Sequence, residues 1–204
     1  MSEISKRIDA VAKLLWRDLR KVGFVGNGRT IRRPLPEGVQ VVHVQGSTSN
    51  AGYEGRFYVN LGVRLRHLPS RAVEDLDPGT VLEPQCDLRH RLESLVSPSL
   101  PYWPVVGSGA MEPLAERVSD ALSTYGLAWL ESVVTHDGAL ASAQRDDPLR
   151  ADLLLACGRR EDAIACMASG LRAAPYAGGV WLSFARRVNL VEEYERARVG
   201  SRCG

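Results

Sequence analysis

The chain has 204 residues and a formal net charge of +2, with 45% hydrophobic and 25% charged residues. This length suits one compact domain, or a domain with a helical appendage, and excludes two large domains. The composition is that of an average globular protein, which excludes disordered and collagen-like chains. Nine Lys and Arg residues lie within residues 1–33. The weak net charge nevertheless argues against a nucleic-acid-binding protein, so we expect no nucleic-acid partner.

The cysteines and histidines form no metal-binding pattern, because the sequence has no C-x-x-C pair and no zinc-ligand spacing. We therefore expect no metal, and free thiols in a reducing cytoplasm. Gly107-Ser108-Gly109 precedes a predicted helix but lacks the third glycine of a dinucleotide fingerprint, so no cofactor is expected. The N-terminus lacks the apolar run of a signal peptide, and three prolines interrupt the longest uncharged run, 94–111. We expect no membrane association.

The first predicted element is an amphipathic helix at the N-terminus. Ser2 is placed to cap it, and Gly23 to end it. Its apolar residues recur at steps of three and four: Ile4, Ile8, Val11, Leu15, Leu19 and Val22.

Four strands are predicted next. The clearest is a half-buried strand in which Phe57, Val59, Leu61, Val63 and Leu65 alternate with other residues. The other three are Phe24–Arg33 with Gly26, Asn27 and Gly28 as turn or bulge residues, Val39–Gln45, and Cys86–Val96. Short connections without helices between the first three strands favour an antiparallel meander.

The rest of the chain is predicted to be helical. A long helix between Pro113 and Gly138 has an apolar stripe: Leu114, Val118, Leu122, Tyr125, Trp129 and Val133. Further helices start at Asp147-Pro148, span Glu161–Ala174, and carry Trp181 to Tyr194. We predict an α+β fold, in which the N-terminal helix packs on a four-stranded antiparallel meander and a C-terminal helical bundle follows. The predicted domains are residues 1–137 and a helical extension, 138–204.

One face of the predicted sheet carries the candidate site. If Val42 and Val44 face the core, the opposite face holds His43, Gln45, Ser47, Tyr58, Asn60, Arg64 and Arg66. The fourth strand adds either Arg89, Arg91 and Glu93 or Leu88, His90 and Leu92, and alternation does not decide which. Such a face suits an acidic protein surface or a small anion. The alternative is an ordinary solvated face, or one covered by the C-terminal helices.

Several segments together resemble a known family. They are K-V-G-F-V-G-N-G-R-T at 21–30, V-V-H-V-Q-G-S at 41–47, R-F-Y-V-N-L-G-V at 56–63, C-D-L-R-H-R-L-E-S-L at 86–95, and Trp103. Their order is similar to the bacterial domain-of-unknown-function 4304 family over about the first 135 residues. The resemblance implies a shared fold and a bacterial origin, and it transfers no catalytic residues. The positions that match its motif are Gln45, Ser47, Asn60, Arg89 and Arg91.

The C-terminal order L-L-x-x-G-R-x-E-D-A-I-A, within Leu153–Pro175, resembles half of a tetratricopeptide repeat pair. One such unit cannot form a solenoid, so we expect an ordinary helical hairpin.

Three functional hypotheses remain, and we favour a non-catalytic partner-binding protein of the immunity or accessory type. The sequence contains no complete catalytic motif. The alternatives are an enzyme whose site assembles on the same sheet face, and a nucleic-acid-binding module that uses the basic first helix. The sequence specifies neither the partner nor the oligomeric state. The candidate binding residues are His43, Gln45, Ser47, Tyr58, Asn60, Arg64, Arg89 and Arg91.

Overall fold

A computed structural model describes residues 2–50, 54–66, 68–69, 77–106 and 109–200. The chain divides into two compact units. The first comprises Met1–Arg64 and Leu76–Val134, and the second comprises Leu65–Asp75 and Thr135–Gly204. None of the described helices is both long enough and apolar enough to cross a membrane.

The predicted N-terminal helix is confirmed as α1 (Glu3–Leu19). The Ser5 amide donates a hydrogen bond to Ser2 Oγ at 3.2 Å, which satisfies one of the unpaired donors at the helix start. A short 3₁₀ turn follows and ends at Gly23, whose φ of 92° suits glycine. The apolar stripe of α1 is buried in the first unit and packs against the sheet: a Cβ at Gly55 would overlap the Ile4 side chain.

The sheet is antiparallel, as predicted, but the described residues form six strands rather than four. The strands are β1 (Val25–Asn27), β2 (Thr30–Pro34), β3 (Gly38–Gly46), β4 (Gly55–Leu65), β5 (Leu88–Arg91) and β6 (Trp103–Val105). Their order is β1-β2-β3-β4-β5, and β6 pairs with β4 beside β5. The chain therefore has the predicted α+β fold with a larger sheet.

The two extra strands have identifiable local causes. The predicted first strand folds into a hairpin, because Gly28 takes a φ of 62° and lets β1 turn back onto β2. Trp103 pairs with Phe57, so a sixth strand forms within the proline-interrupted run 94–111, where no strand is predicted. The predicted strand Cys86–Val96 was too long, since its second half forms a short helix, α2 (Leu92–Val96).

The core face of the sheet is the predicted one. The side chains of Val42, Val44, Phe57, Val59 and Leu61 are all fully buried. The opposite face is partly covered as well, because an apolar cluster encloses one end of it: Val39, Val41, Val81 and Cys86. The polar face is therefore restricted to the part of the sheet beyond this cluster.

The predicted long helix contains a π turn. It consists of α3 (Glu112–Ala121), a π turn (Leu122–Gly126) and α4 (Leu127–Ser132). A π turn contains one residue more than an α-helical turn. This extra residue rotates the side chains that follow by about 100° around the helix axis. Gly126 and Leu130 are consequently buried, whereas Tyr125 is 45% exposed and Trp129 is half-buried. The predicted stripe was wrong at Tyr125 and Trp129.

The second unit contains the C-terminal helices. Its described helices are α5 (His136–Ser142), α6 (Pro148–Ala156), α7 (Arg160–Ala173), α8 (Gly178–Arg187) and α9 (Val191–Gly200). Asp147 caps α6 as predicted: its Oδ1 accepts a hydrogen bond from the Leu149 amide at 2.8 Å. The predicted last helix is instead two helices, because Asn189 takes a left-handed φ of 57° between them. In this unit α6 packs against α7, and α7 packs against α9.

Candidate functional site on the polar face of the sheet

The register between β4 and β5 decides which face carries the basic residues of β5. Asn60 lies opposite Arg91, and Gly62 lies opposite Arg89. Directly opposed residues of an antiparallel pair project from the same face. Arg89 and Arg91 therefore join the polar face, whereas His90 packs at 5.6 Å from the Trp129 ring.

Four of the eight candidate residues line one open pocket of about 330 Å³ on this face, which we call the polar pocket. Its lining residues are Gln45, Asn60, Glu83, Arg89, His90, Arg91 and Ser94. Strands β3, β4 and β5 contribute most of them, so the pocket depends on the pairing of three strands.

The Arg91 guanidinium lies over the ring of Tyr58, with 4.3 Å between its central carbon and the ring centroid. Arg91 is exposed and Tyr58 is half-buried. The face of an aromatic ring attracts a cation, and the contact holds the planar guanidinium in a defined orientation. The contact with the Tyr58 ring therefore holds the N–H donors of Arg91 at the rim of the polar pocket.

A pair of side-chain amides forms the next part of the pocket. Asn60 Nδ2 donates a hydrogen bond to Gln45 Oε1 at 2.8 Å. Asn60 is 6% exposed, whereas Gln45 on β3 is exposed. This bond fixes the amide orientation of Gln45, because its carbonyl oxygen is turned toward Asn60.

Arg89 is held by a carboxylate that sequence reasoning missed. Its Nε lies 2.5 Å from Glu83 Oε1, and its Nη2 lies 3.3 Å from Glu83 Oε2. Bonding to Glu83 raises the pKa of Arg89. Glu83 is buried in a 3₁₀ turn (Glu83–Gln85) outside the strands, where hydrophobic periodicity gives no signal.

His43 and Ser47 lie outside the lining of the polar pocket. His43 Nδ1 is 2.8 Å from Thr30 Oγ1 on the neighbouring strand. Burial lowers the pKa of His43. Ser47 belongs to the turn after β3, where its Oγ accepts a hydrogen bond from the Ser49 amide at 3.2 Å.

Arg64 is also placed away from the polar pocket. Its Nη1 donates to the carbonyl oxygen of Gln85 at 2.9 Å and lies 3.5 Å from Asp87 Oδ1. Only 16% of the Arg64 side chain is exposed. Through these contacts, Arg64 of β4 holds the segment that carries Glu83 against the sheet. Arg66 is exposed and belongs to the second compact unit.

Metal-ligating side chains do not come together within the described ranges: no group of three or more His, Cys, Asp or Glu residues could hold a metal ion there. The donors of the polar pocket are mainly guanidinium and amide groups, which bind anions and carbonyl oxygens.

Comparison with known proteins identifies one family. The model of the family described as "Domain of unknown function (DUF4304)" matches residues 15–132. This range contains the whole described sheet and the residues of the polar pocket. No curated protein and no solved structure matches the chain.

Proposed function

The chain belongs to this family of unknown function, and we propose that it is a non-catalytic protein that binds a partner protein through the polar face of its sheet. One observation carries the proposal: the exposed Arg91 guanidinium is held over Tyr58 at the rim of the polar pocket. Arg and Tyr are enriched among interface residues whose truncation is costly, because both combine a large contact area with hydrogen bonding.

The fixed geometry of the polar pocket supports this proposal. The Glu83–Arg89 ion pair and the Asn60–Gln45 hydrogen bond hold the pocket walls before any partner arrives. A preorganised surface loses less side-chain entropy on binding, so more of the contact energy contributes to affinity.

The test compares partner binding by four single variants of the full chain. Arg91→Ala and Tyr58→Ala remove the proposed anchors. Arg17→Ala on α1 is the matched control for the arginine, with 68% of its side chain exposed. Tyr125→Ala is the control for the tyrosine, with 45% exposure. Thermal unfolding of each variant establishes that it is folded.

Tagged wild-type and variant proteins are used to capture partners from the source organism, with quantification by mass spectrometry. The captured candidate is then purified and its Kd measured by calorimetry. We expect about a 30-fold weaker Kd, roughly 2 kcal/mol, for Arg91→Ala and for Tyr58→Ala. The control variants should bind like wild type. A partner whose Kd is the same for all four variants would contradict the proposal.

A second candidate function is an enzyme on the same face, and one contact favours it. The Thr30 hydroxyl and the His43 ring are within hydrogen-bond distance, as a nucleophile and its general base must be. The lowered pKa of His43 keeps the ring neutral near pH 7. Hydrolysis of p-nitrophenyl acetate that both Thr30→Val and His43→Gln abolish would favour an enzyme. Equal rates in wild type and both variants would exclude this pair as a catalytic site for ester hydrolysis.

We also propose that the protein works in the bacterial cytoplasm. The three cysteines in the described part of the chain, Cys86, Cys157 and Cys166, are all free, which supports this placement. Reduced thiols are usual in a cytosolic protein. Fractionation of the source organism followed by immunoblotting tests it, and recovery of the protein outside the cytoplasmic fraction would contradict it.

A further inference from the structure

We propose that the polar pocket binds a single carboxylate, supplied by an Asp or Glu side chain on the partner protein. This inference rests on the proposed function and adds the chemical group that the partner must present. It follows from the charge of the pocket, from its hydrogen-bond donors and from the fixed orientation of Arg91.

The charge of the polar pocket suits a monoanion. Its charged lining residues are Arg89, Arg91 and Glu83. The Glu83 carboxylate forms an ion pair with Arg89, so these two charges compensate each other. Arg91 remains as one net positive charge, which one carboxylate would balance and a phosphate dianion would exceed.

Arg91 also has unused hydrogen-bonding capacity. Among the described residues, no carboxylate oxygen lies within ion-pair distance of its guanidinium, whose contact is with the ring of Tyr58. The nearby Glu93 carboxyl interacts with Arg91 electrostatically, but it is only 1% exposed and accepts a hydrogen bond from a backbone amide instead. A guanidinium has five N–H donors, and two of them that point in parallel bond to the two oxygens of one carboxylate.

Gln45 supplies a second donor group in the same pocket. Its Oε1 accepts from Asn60, which leaves the Nε2 hydrogens without a partner in the described part of the chain. Besides the bonded Arg89 and Asn60, the pocket therefore contains the Arg91 guanidinium and the Gln45 amide as further donors, around a single net positive charge. A carboxylate has two oxygens, which are acceptors suited to both of these donor groups.

The test is an NMR titration of the ¹⁵N-labelled full chain at pH 7, following Arg91 Nε–H and the side-chain amide of Gln45. The probe is sodium acetate, compared with sodium chloride and sodium phosphate at equal ionic strength. We expect both signals to shift and saturate with acetate. Arg91→Lys should weaken this binding at least tenfold, because Lys keeps the charge and loses the planar fork. The matched control Arg17→Lys should behave like wild type.

Two results overturn the inference: acetate shifts no larger than those with chloride, or saturation by phosphate at lower concentration than by acetate. With the captured partner, Asp→Asn and Glu→Gln changes in its contact surface should weaken binding to wild type but not to Arg91→Lys.

The outcomes separate the two proposals. If partner binding needs Arg91 and Tyr58 but is indifferent to acetate and to the acidic residues of the partner, the carboxylate is wrong and the proposed function stands. If acetate saturates the polar pocket while partner affinity is equal in all variants, the proposed function is wrong and the carboxylate site stands.

Discussion

The Glu93 carboxylate accepts a hydrogen bond from the Val59 backbone amide, with 2.8 Å between Oε1 and the nitrogen. Strand β4 pairs with β6 over 55–57 and with β5 over 60–63, so Val59 lies in the gap between two partner strands. Glu93 supplies the acceptor that a strand would otherwise provide. An acidic residue that alternation could have assigned to the polar face is therefore a buried part of the sheet.

The buried Glu93 makes stability depend on pH. Burial raises the pKa of Glu93 above the value of about 4.3 expected in an unfolded chain. At a pH between the pKa of Glu93 in the unfolded state and its higher pKa in the folded state, only the folded state holds the proton. The unfolding free energy therefore falls as pH rises through this range. Glu93→Gln keeps an acceptor for Val59 and does not titrate. We therefore expect the unfolding free energy of Glu93→Gln minus that of wild type to increase from pH 4 to pH 8.

Urea denaturation at several pH values measures this difference. Glu116→Gln, on the exposed face of α3, is the matched control and should show little change relative to wild type across the same range. A difference between Glu93→Gln and wild type that stays constant with pH would show that Glu93 has the same pKa in both states.

Leu61 tests the core of the first unit. It is fully buried on β4, where its side chain lies near Gly126 of the π turn. Leu61→Ala should lower the unfolding free energy by about 2–5 kcal/mol, because a cavity replaces the lost side chain. Val106→Ala is the surface control, with 61% exposure, and should cost less than about 0.5 kcal/mol. Chemical denaturation measures both, and equal costs would contradict this packing.

Two glycines in helices of the second unit should respond oppositely to the same substitution. A Cβ at Gly170 in α7 would overlap the ring of Trp181, whereas a Cβ at Gly179 in α8 meets nothing within 4 Å. Gly170→Ala should therefore destabilise by about 1–3 kcal/mol through overpacking. Gly179→Ala should stabilise by about 0.4–1 kcal/mol, because it restricts the unfolded chain. Thermal unfolding distinguishes them, and a stabilised Gly170→Ala would refute the close packing.

Local patterns predicted those parts of the fold that depend on neighbouring residues. Strict alternation located β4 and its core face, since Phe57, Val59 and Leu61 are all buried. Alternation could not place Arg91, because either face of a short strand with apolar and basic residues satisfies the pattern. The register with Asn60 settles that choice, and register depends on residues distant in the sequence.

Irregular segments account for what the sequence could not predict. The π turn moves burial from Tyr125 to Gly126, a shift that a regular helical period does not contain. Glu83 reaches Arg89 from a 3₁₀ turn with no periodic pattern, and its importance emerges only when the segment folds back on the sheet. The lining of the polar pocket includes four of the candidate residues from the strands, whereas Glu83, from the loop, is not among the candidates.

The cysteines should react with an alkylating reagent at very different rates. These rates test whether the segment that carries Glu83 and Cys86 stays folded against the sheet. Burial raises the pKa of Cys86 to about 12 and that of Cys166 to about 11, whereas Cys157 is half-buried. At pH 8 a thiol with a pKa near 12 is about one ten-thousandth thiolate, and the thiolate is the reactive form. Iodoacetamide should therefore label Cys157 first and Cys86 last, as measured by peptide mass spectrometry of a Cys203→Ser variant.

Labelling of Cys86 also reports how firmly its segment holds the sheet. The Cys86 side chain lies against Gly62, where a Cβ would come within 2.6 Å of its sulfur. In the native protein, Cys86 reacts only when this contact opens, so its rate follows the free energy of local opening. Arg64→Ala removes the hydrogen bond to the Gln85 carbonyl oxygen and should accelerate labelling of Cys86 without changing that of Cys157. In 8 M urea all three thiols should react at similar rates. Rapid native labelling of Cys86 would mean that the segment carrying Glu83 does not stay on the sheet.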